Sequence, residues 1–284
     1  MSIHARLNAA QQRLKDTLGL NSREARLEAR LLLQDILGVN HAWLLSHEND
    51  ALEDQAGIAF QSLLTRRLSG EPMAHILGRR EFFGLDLGVT ANTLIPRPDT
   101  ETLVEAALQR IPQNAPCKVL DLGTGTGAIA LAIASRRPHA EVLAVDFSET
   151  ALQVAIDNAA RLGISNVRFL QSNWFSGVAG QIFDIIVSNP PYIAAGDIHL
   201  TRGDLRFEPL SALVSGDDGL DDIWHIIAAT PQHLNQNGWL LLEHGYDQAE
   251  RVAGLMRQHH FLEIGHTKDL AQIPRVTFGQ FNRQ

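Results

Sequence analysis

Asn189-Pro190-Pro191-Tyr192 sets a side-chain amide, two residues without a backbone N–H and a phenol in four consecutive positions. Successive prolines hold φ nearly fixed and remove two donors, so the carbonyls before and between them meet no local N–H. A stiff corner of this kind is suited to gripping a flat group that carries N–H2, either a carboxamide or an exocyclic amine. The Asn189 side-chain oxygen and the Pro190 carbonyl can each accept one of the two N–H bonds. Both acceptors hold the nitrogen more strongly as it gains positive charge, which is the requirement for catalysis at that atom. Tyr192 is expected to pack on the plane of the group or to wall its pocket. No general base is evident nearby, and none is needed if the proton leaves to water after transfer.

A second constellation is Asp121-Leu122-Gly123-Thr124-Gly125-Thr126-Gly127-Ala128. Its glycines permit a tight turn and close approach of a ligand to backbone. Gly123, Gly125 and Ala128 satisfy the dinucleotide pattern, and Asp146 lies at a fitting distance for a ribose carboxylate, so a nicotinamide cofactor stays open on spacing alone. Asp121 points elsewhere. A carboxylate just before the glycines repels a pyrophosphate but suits an ammonium group, and S-adenosylmethionine has an amino-acid end, a sulfonium and no phosphate. Asp146 can accept both ribose hydroxyls. In the run Gln171-Ser172-Asn173-Trp174-Phe175, Trp174 is expected against an adenine with Asn173 on its edge; packing under a loop is an equal alternative for Trp174.

These residues need a sheet to carry them. Strands fit Val119–Leu122, Val142–Asp146, Val167–Gln171, Phe183–Ser188 and Trp239–Glu243, and helices fit residues 129–136, 149–162, 220–234 and 248–257. Such alternation gives right-handed crossovers and a mostly parallel sheet, with ligands at the carboxyl ends of its strands. Residues 261–267 and 275–281 have no helix between them and read as an antiparallel edge. Residues 1–77 are helical by period: Ile3, Leu7, Ala10, Leu14 and Leu18 recur at spacings of three and four. Asn21 with Glu24 resembles a capping box, Gly38 ends that helix, and a further helix fits Asp54–Leu68. Residues 78–98 read as a β-hairpin linker with strands at Glu81–Leu87 and Thr93–Ile95. Thr100 or Asp99 would cap a helix through Leu108. The third domain is then 99–284.

The chain has 284 residues, 45% of them hydrophobic, and a net charge of −8, which argues against a basic groove for nucleic acid. A single cysteine, Cys117, fits a reducing compartment and reads as an inert small side chain before a strand. No stretch approaches the roughly 18 apolar residues of a membrane span, and the start lacks a signal-peptide block. The expectation is a cytoplasmic monomer. No histidine pair has metal-ligand spacing with Cys or Glu, so no metal is expected, and His259-His260 reads as a polar helix end. Arg79, Arg80 and Arg97 read as solvated linker charges, Glu101 as a helix-dipole carboxylate, and Glu243 as facing either the pocket or the surface.

In their order, these motifs resemble class I S-adenosylmethionine-dependent methyltransferases, which implies a Rossmann-like, seven-stranded α/β sheet. Asn-Pro-Pro-Tyr narrows the resemblance to enzymes of planar nitrogen. Residues 71–78 (Glu-Pro-Met-Ala-His-Ile-Leu-Gly), 80–84 (Arg-Glu-Phe-Phe-Gly), 94–101 (Leu-Ile-Pro-Arg-Pro-Asp-Thr-Glu) and Glu208-Pro209 with Ser211-Ala212-Leu213 are similar to the HemK/PrmC family. That family methylates N5 of the glutamine in the Gly-Gly-Gln loop of class I peptide chain release factors. The resemblance implies cofactor contacts from Asp121, Leu122, Gly123, Thr124, Gly125, Asp146, Trp174 and Asn189. It implies that Asn189, Pro190, Pro191 and Tyr192 hold the glutamine, and that the helical domain docks the partner. The competing readings are an adenine-N6 methyltransferase acting on nucleic acid, a non-catalytic cofactor-binding assembly factor and a dinucleotide oxidoreductase.

Overall fold

Helix caps and glycines partition the first part of the chain. The computed structural model describes residues 1–282 and divides by contacts into two units, residues 1–78 with 201–207, and residues 79–200 with 208 onward. In the first unit, α1 (Ile3–Leu18) buries Ile3, Ala10 and Leu14, and α2 (Ser22–Leu37) buries Ala25, Ala29, Leu32 and Leu33. The Asn21 side chain accepts from the backbone of Arg23 and Glu24 while the Glu24 carboxylate accepts from Asn21 N, and Gly38 closes the helix at φ +64°. Arg67 in α4 (Asp54–Leu68) donates twice to Glu28 of α2, at 2.7 and 3.0 Å, and so fixes the two helices against each other. Two short helices, α3 (His41–Ser46) and α5 (Met73–Leu77), escape a periodicity reading because neither completes two turns.

The second unit opens with a tighter hairpin than the sequence predicts. Strands β1 (Arg79–Phe82) and β2 (Leu85–Gly88) pair around Phe83-Gly84. Both turn residues have positive φ, +52° and +81°, as the twist of a two-residue hairpin requires. Thr93–Ile95, expected as the second strand, is irregular. Neither Thr100 nor Asp99 caps α6 (Glu101–Leu108) with its side chain; a 3-10 turn, Pro98–Thr100, leads into the helix instead.

Then follow β3 (Cys117–Leu122), α7 (Ala128–Arg136), β4 (Ala140–Asp146), α8 (Glu149–Leu162), β5 (Val167–Gln171) and β6 (Phe183–Ser188). After them come α9 (Asp221–Ala229), β7 (Leu234–Glu243), α10 (Ala249–Gln258), β8 (Phe261–Lys268) and β9 (Pro274–Phe281). The expected helix over 220–234 ends at Ala229, because Pro231 carries the chain into a 3-10 turn, and β7 starts five residues before the predicted Trp239. Its early part bulges, with Leu234 opposite Phe183 and Trp239 opposite Ile185.

The seven-stranded sheet has the order β5-β4-β3-β6-β7-β9-β8, parallel except where β9 meets β7 and β8. Val119, Leu120, Leu122, Ile186 and Val187 are completely buried, which explains why apolar residues here face both sides of the sheet. Each such side chain contributes roughly 1.5–3 kcal/mol. The chain winds outward from β3 to β5 and returns to β6 on the other side of β3, so the topological switch point lies between β3 and β6. Among the described residues, no helix is long and apolar enough to cross a membrane, and no group of three His, Cys, Asp or Glu is arranged to hold a metal ion.

Candidate active site

Both sequence constellations leave the sheet at the switch point. Leu122 and Ser188 are paired at the ends of β3 and β6, and the Ser188 hydroxyl donates to Leu122 O at 2.7 Å. The glycine loop and the Asn-Pro-Pro-Tyr corner therefore start side by side. A cavity of about 370 Å3 opens there, within the size range of small-molecule sites. Gly123, Gly125, Asp146, Trp174, Asn189 and Pro191 all line it.

Backbone geometry builds the cofactor side. Gly123 N and Thr124 N both donate to Val145 O at 2.9 Å, which folds the loop over the end of β4. Gly123 has φ +71°, and a Cβ there would stand 3.4 Å from the Trp174 ring. Gly125 N donates to Asp146 Oδ2 at 2.8 Å and Ser148 N to its Oδ1 at 2.9 Å. Burial raises the Asp146 pKa, and these backbone donors oppose the rise. Trp174 donates its Nε1–H to Asp222 Oδ1 at 3.2 Å, so its ring is held at the cavity wall.

Asp121 is placed differently from the expectation. It is fully buried beneath the loop and does not line the cavity. Its Oδ2 accepts from the Thr124 hydroxyl at 2.6 Å and from Ala130 N at 3.2 Å, while Oδ1 has no partner among the described residues. Burial pushes its pKa up to about 7. Asp121 thus ties the glycine loop to the first turn of α7. Leu122 and Thr124 are likewise buried and off the cavity surface.

On the substrate side, Asn189 lines the cavity and donates its Nδ2–H to Thr100 Oγ1 at 3.3 Å. Pro191 lines it too, whereas Pro190 is buried. Tyr192 does not wall the pocket: it packs against the core formed by strand and helix residues such as Ile186 and Leu242. Its hydroxyl donates to Glu243 Oε1 at 3.4 Å, because a buried phenol needs an acceptor. The corner is braced from behind by Gln248, whose Nε2–H donates to Tyr192 O at 3.0 Å. Gly219 is required there, since a Cβ would fall 2.2 Å from the same carbonyl.

Charged residues of the flanks also moved from their expected places. Arg97 is no solvated linker charge; it pairs at 2.5 Å with Glu208, whose side chain is wholly buried. The Glu101 carboxylate accepts from Phe83 N at 3.0 Å and holds the hairpin turn. Glu243 is buried, with a pKa raised by that burial to about 7. Cys117 is the first residue of β3 and is buried, which pushes its thiol up to about 12. Thr100, Asp222 and Ser215 were not foreseen. Ser215 donates to Asp222 Oδ2 at 2.7 Å and so orients the carboxylate that holds Trp174. Of the three, only Thr100 falls in a segment that the sequence singles out, residues 94–101.

The charge inventory of the cavity decides between ligands. Among the described residues, two carboxylates, Asp146 and Asp222, line it, and no Lys, Arg or His does. A pyrophosphate would meet repulsion without a compensating cation, so a dinucleotide fits poorly. A ligand with ribose hydroxyls, positive charge and no phosphate fits, and Asp146, Trp174 and the open backbone at Gly125 are the groups able to hold it.

Comparison with known proteins agrees with this geometry. Residues 6–78 match the family described as PrmC N-terminal domain, and residues 113–240 the family described as methyltransferase domain. The chain is 49% identical over 262 residues to the release factor glutamine methyltransferase of Escherichia coli strain K12, covering 92% of this chain and 94% of that one. It is 46% identical over 285 residues to the Vibrio cholerae protein of the same name, with 100% and 98% covered. A solved methyltransferase from Pyrococcus furiosus aligns with a TM-score of 0.55 at 19% identity, over 78% of this chain and 100% of that one, a likeness of fold.

Proposed function

The chain belongs to the release factor glutamine methyltransferase family, and from that premise we propose which atoms of its site carry out the reaction. It is a protein-glutamine methyltransferase. The substrate position is N5 of the glutamine in the Gly-Gly-Gln loop of class I peptide chain release factors, and the methyl donor is S-adenosylmethionine. The observation that carries this reading is the sharing of one cavity by Asn189 and Pro191 with Gly123, Gly125, Asp146 and Trp174.

When bound, S-adenosylmethionine supplies an electrophilic methyl group on its sulfonium. Asp146 is the acceptor for the ribose hydroxyls, Trp174 the surface for the adenine, and the backbone at Gly123 and Gly125 the site of close approach. Asp121 and Thr124 keep that backbone in place from below. On the other side, the Asn189 side-chain oxygen and the Pro190 carbonyl accept the two N–H bonds of the carboxamide. An amide nitrogen is a poor nucleophile because its lone pair is delocalised, so its placement matters most, and fixed orientation can lower the barrier by several kcal/mol. Charge develops on the nitrogen during transfer, and both acceptors then bind it better than they bind the resting amide. Tyr192 contributes from behind, by anchoring the corner to Glu243. The proton leaves to water once the nitrogen has been methylated. The helical residues 1–77 are the surface proposed to dock the release factor, residues 78–98 connect, and residues 99–284 perform the chemistry. The monomer acts in the cytoplasm without direct contact to nucleic acid.

Incubation of the purified chain with labelled S-adenosylmethionine and a class I release factor tests this reading. The label is expected on the glutamine of the Gly-Gly-Gln sequence, located by mass spectrometry. Label on adenine in nucleic acid, with none on the release factor, would replace it with the adenine-N6 reading.

A further inference from the structure

Trp174 has a backbone conformation that its side chain disfavours. Its φ is +49°, in the left-handed region that a bulky residue occupies only under strain. Such strain persists where the surroundings over-determine the conformation. Here they do. Ser172 Oγ donates to Trp174 O at 2.7 Å and accepts from Gly177 N at 2.8 Å, which holds the main chain. The ring is pinned at both ends. Its six-membered edge lies at Gly123, where a Cβ would stand 3.4 Å from it. Its Nε1–H, on the five-membered ring, donates to Asp222 Oδ1 at 3.2 Å. Turning the indole over would take the N–H away from that acceptor.

Asp222 is itself fixed by a reciprocal pair of bonds. Ser215 Oγ accepts from Asp222 N at 2.8 Å and donates its one hydrogen to Asp222 Oδ2 at 2.7 Å. Ser215 is 2% exposed, so little water competes for either bond. Its own N donates to Ile193 O at 3.0 Å, and Ile193 N donates to Leu213 O at 2.9 Å. Ile193 is the residue after Tyr192. The segment that supports the indole is therefore hydrogen-bonded to the chain that continues the Asn-Pro-Pro-Tyr corner. A line of bonds runs from that chain through Ser215 and Asp222 to the ring.

We propose that Asp222 and Ser215 are positioning residues for the cofactor, which set the plane of the Trp174 indole on the cavity wall in a fixed relation to the substrate corner. A cofactor whose adenine lies on that ring is thereby placed with respect to the incoming carboxamide. The inference rests on the methyltransferase reading above and goes further by naming what orients its aromatic surface. Asp222 acts through the indole N–H and not through its charge, so an uncharged acceptor of the same shape serves as well.

The test is a double-mutant cycle read as the S-adenosylmethionine Kd by calorimetry, with Asp222→Ala made in the wild-type chain and in Trp174→Phe. In the wild-type chain Asp222→Ala is expected to raise Kd by about threefold to tenfold, the net scale of one hydrogen bond. Trp174→Phe keeps a ring and has no N–H, and in that background the same substitution is expected to change Kd by less than about twofold. Asp222→Asn retains an acceptor for the indole and can offer its N–H2 to Ser215 Oγ, so it is expected to recover the affinity that Asp222→Ala loses. In proton–nitrogen correlation spectra the Trp174 indole signal, assigned by its absence from Trp174→Phe, is expected to move upfield in Asp222→Ala and to return in Asp222→Asn. Should Asp222→Ala fail to fold, Ser215→Ala in the same two backgrounds decides by the same pattern. An equal loss in both backgrounds, a wild-type Kd in Asp222→Ala, or an Asp222→Asn chain as weak as Asp222→Ala overturns the proposal while leaving the methyltransferase reading standing. A wild-type chain that binds no S-adenosylmethionine removes that reading and the positioning role with it.

Discussion

Two loops meet at the β3/β6 switch point, and each is fastened by a carboxylate buried at the end of a strand. Under the glycine loop Asp121 has one oxygen satisfied by Thr124 and Ala130 N and one without a partner among the described residues. Under the Asn-Pro-Pro-Tyr corner Glu243 accepts from Tyr192 at its Oε1, and its Oε2 again has no partner among the described residues. Burial lifts both to about 7. The difference lies in what they hold. Asp121 fixes main chain, so the cofactor loop works through backbone shape. Glu243 holds a side chain, the Tyr192 phenol, so the substrate corner is anchored through its last residue.

Substitutions should separate the two loops accordingly. Asn189→Ala removes the acceptor itself and should lower kcat by about 10²- to 10³-fold, the scale of losing one oriented hydrogen-bond partner of a transition state. Cofactor affinity measured by calorimetry should stay close to wild type, and unchanged turnover would remove Asn189 from the reaction. Asp121→Ala should act on the other loop. It leaves the Thr124 hydroxyl and Ala130 N–H without their acceptor, a loss of about 1–3 kcal/mol in chemical denaturation together with weaker cofactor binding. Gly123→Ala should behave similarly but less strongly. Its φ of +71° and the Trp174 ring at 3.4 Å from the new Cβ call for a cost of about 1–2 kcal/mol, read as a lowered Tm and a raised cofactor Kd. A kcat defect with intact cofactor affinity in either loop variant would erase the distinction between the loops.

How much of this was legible in the sequence follows the same division. The glycine loop and the tetrapeptide are contiguous, so their backbone limits can be read directly from Gly123, Gly125, Pro190 and Pro191. The sheet was legible as well, because the buried strands are short apolar pieces that alternate with helices, as in Val119-Leu120 of β3 and Ile185-Ile186-Val187 of β6. The supports were not. Thr100 looks like a helix cap, and only the fold brings it to Asn189, 89 positions away. Trp174 and Asp222 are 48 apart, and Arg97 and Glu208 are 111 apart. The Phe83-Gly84 turn was hidden because Phe83 takes a positive φ that is rare for an aromatic residue, and the early start of β7 because Pro231 and a bulge interrupt its pattern.

The smallest expected effect treats the two carboxylates as equals. Each has a folded pKa above the ordinary carboxylate value. Between that value and about 7 the folded chain therefore retains protons that the unfolded chain has released, and stability falls as pH rises through the window. Asp121→Asn and Glu243→Gln should each flatten that fall, as measured by urea denaturation on either side of it. A slope unaffected by either substitution would mean that the two groups are not protonated in the folded chain.

The decisive measurement is a structure of the chain with a glutamine peptide and the demethylated cofactor product bound together. The account predicts the glutamine side-chain nitrogen within hydrogen-bonding distance, about 2.7–3.2 Å, of Asn189 Oδ1, on the side of the cavity facing the glycine loop. A glutamine bound away from the corner, or one whose carbonyl rather than its nitrogen meets Asn189, would contradict it.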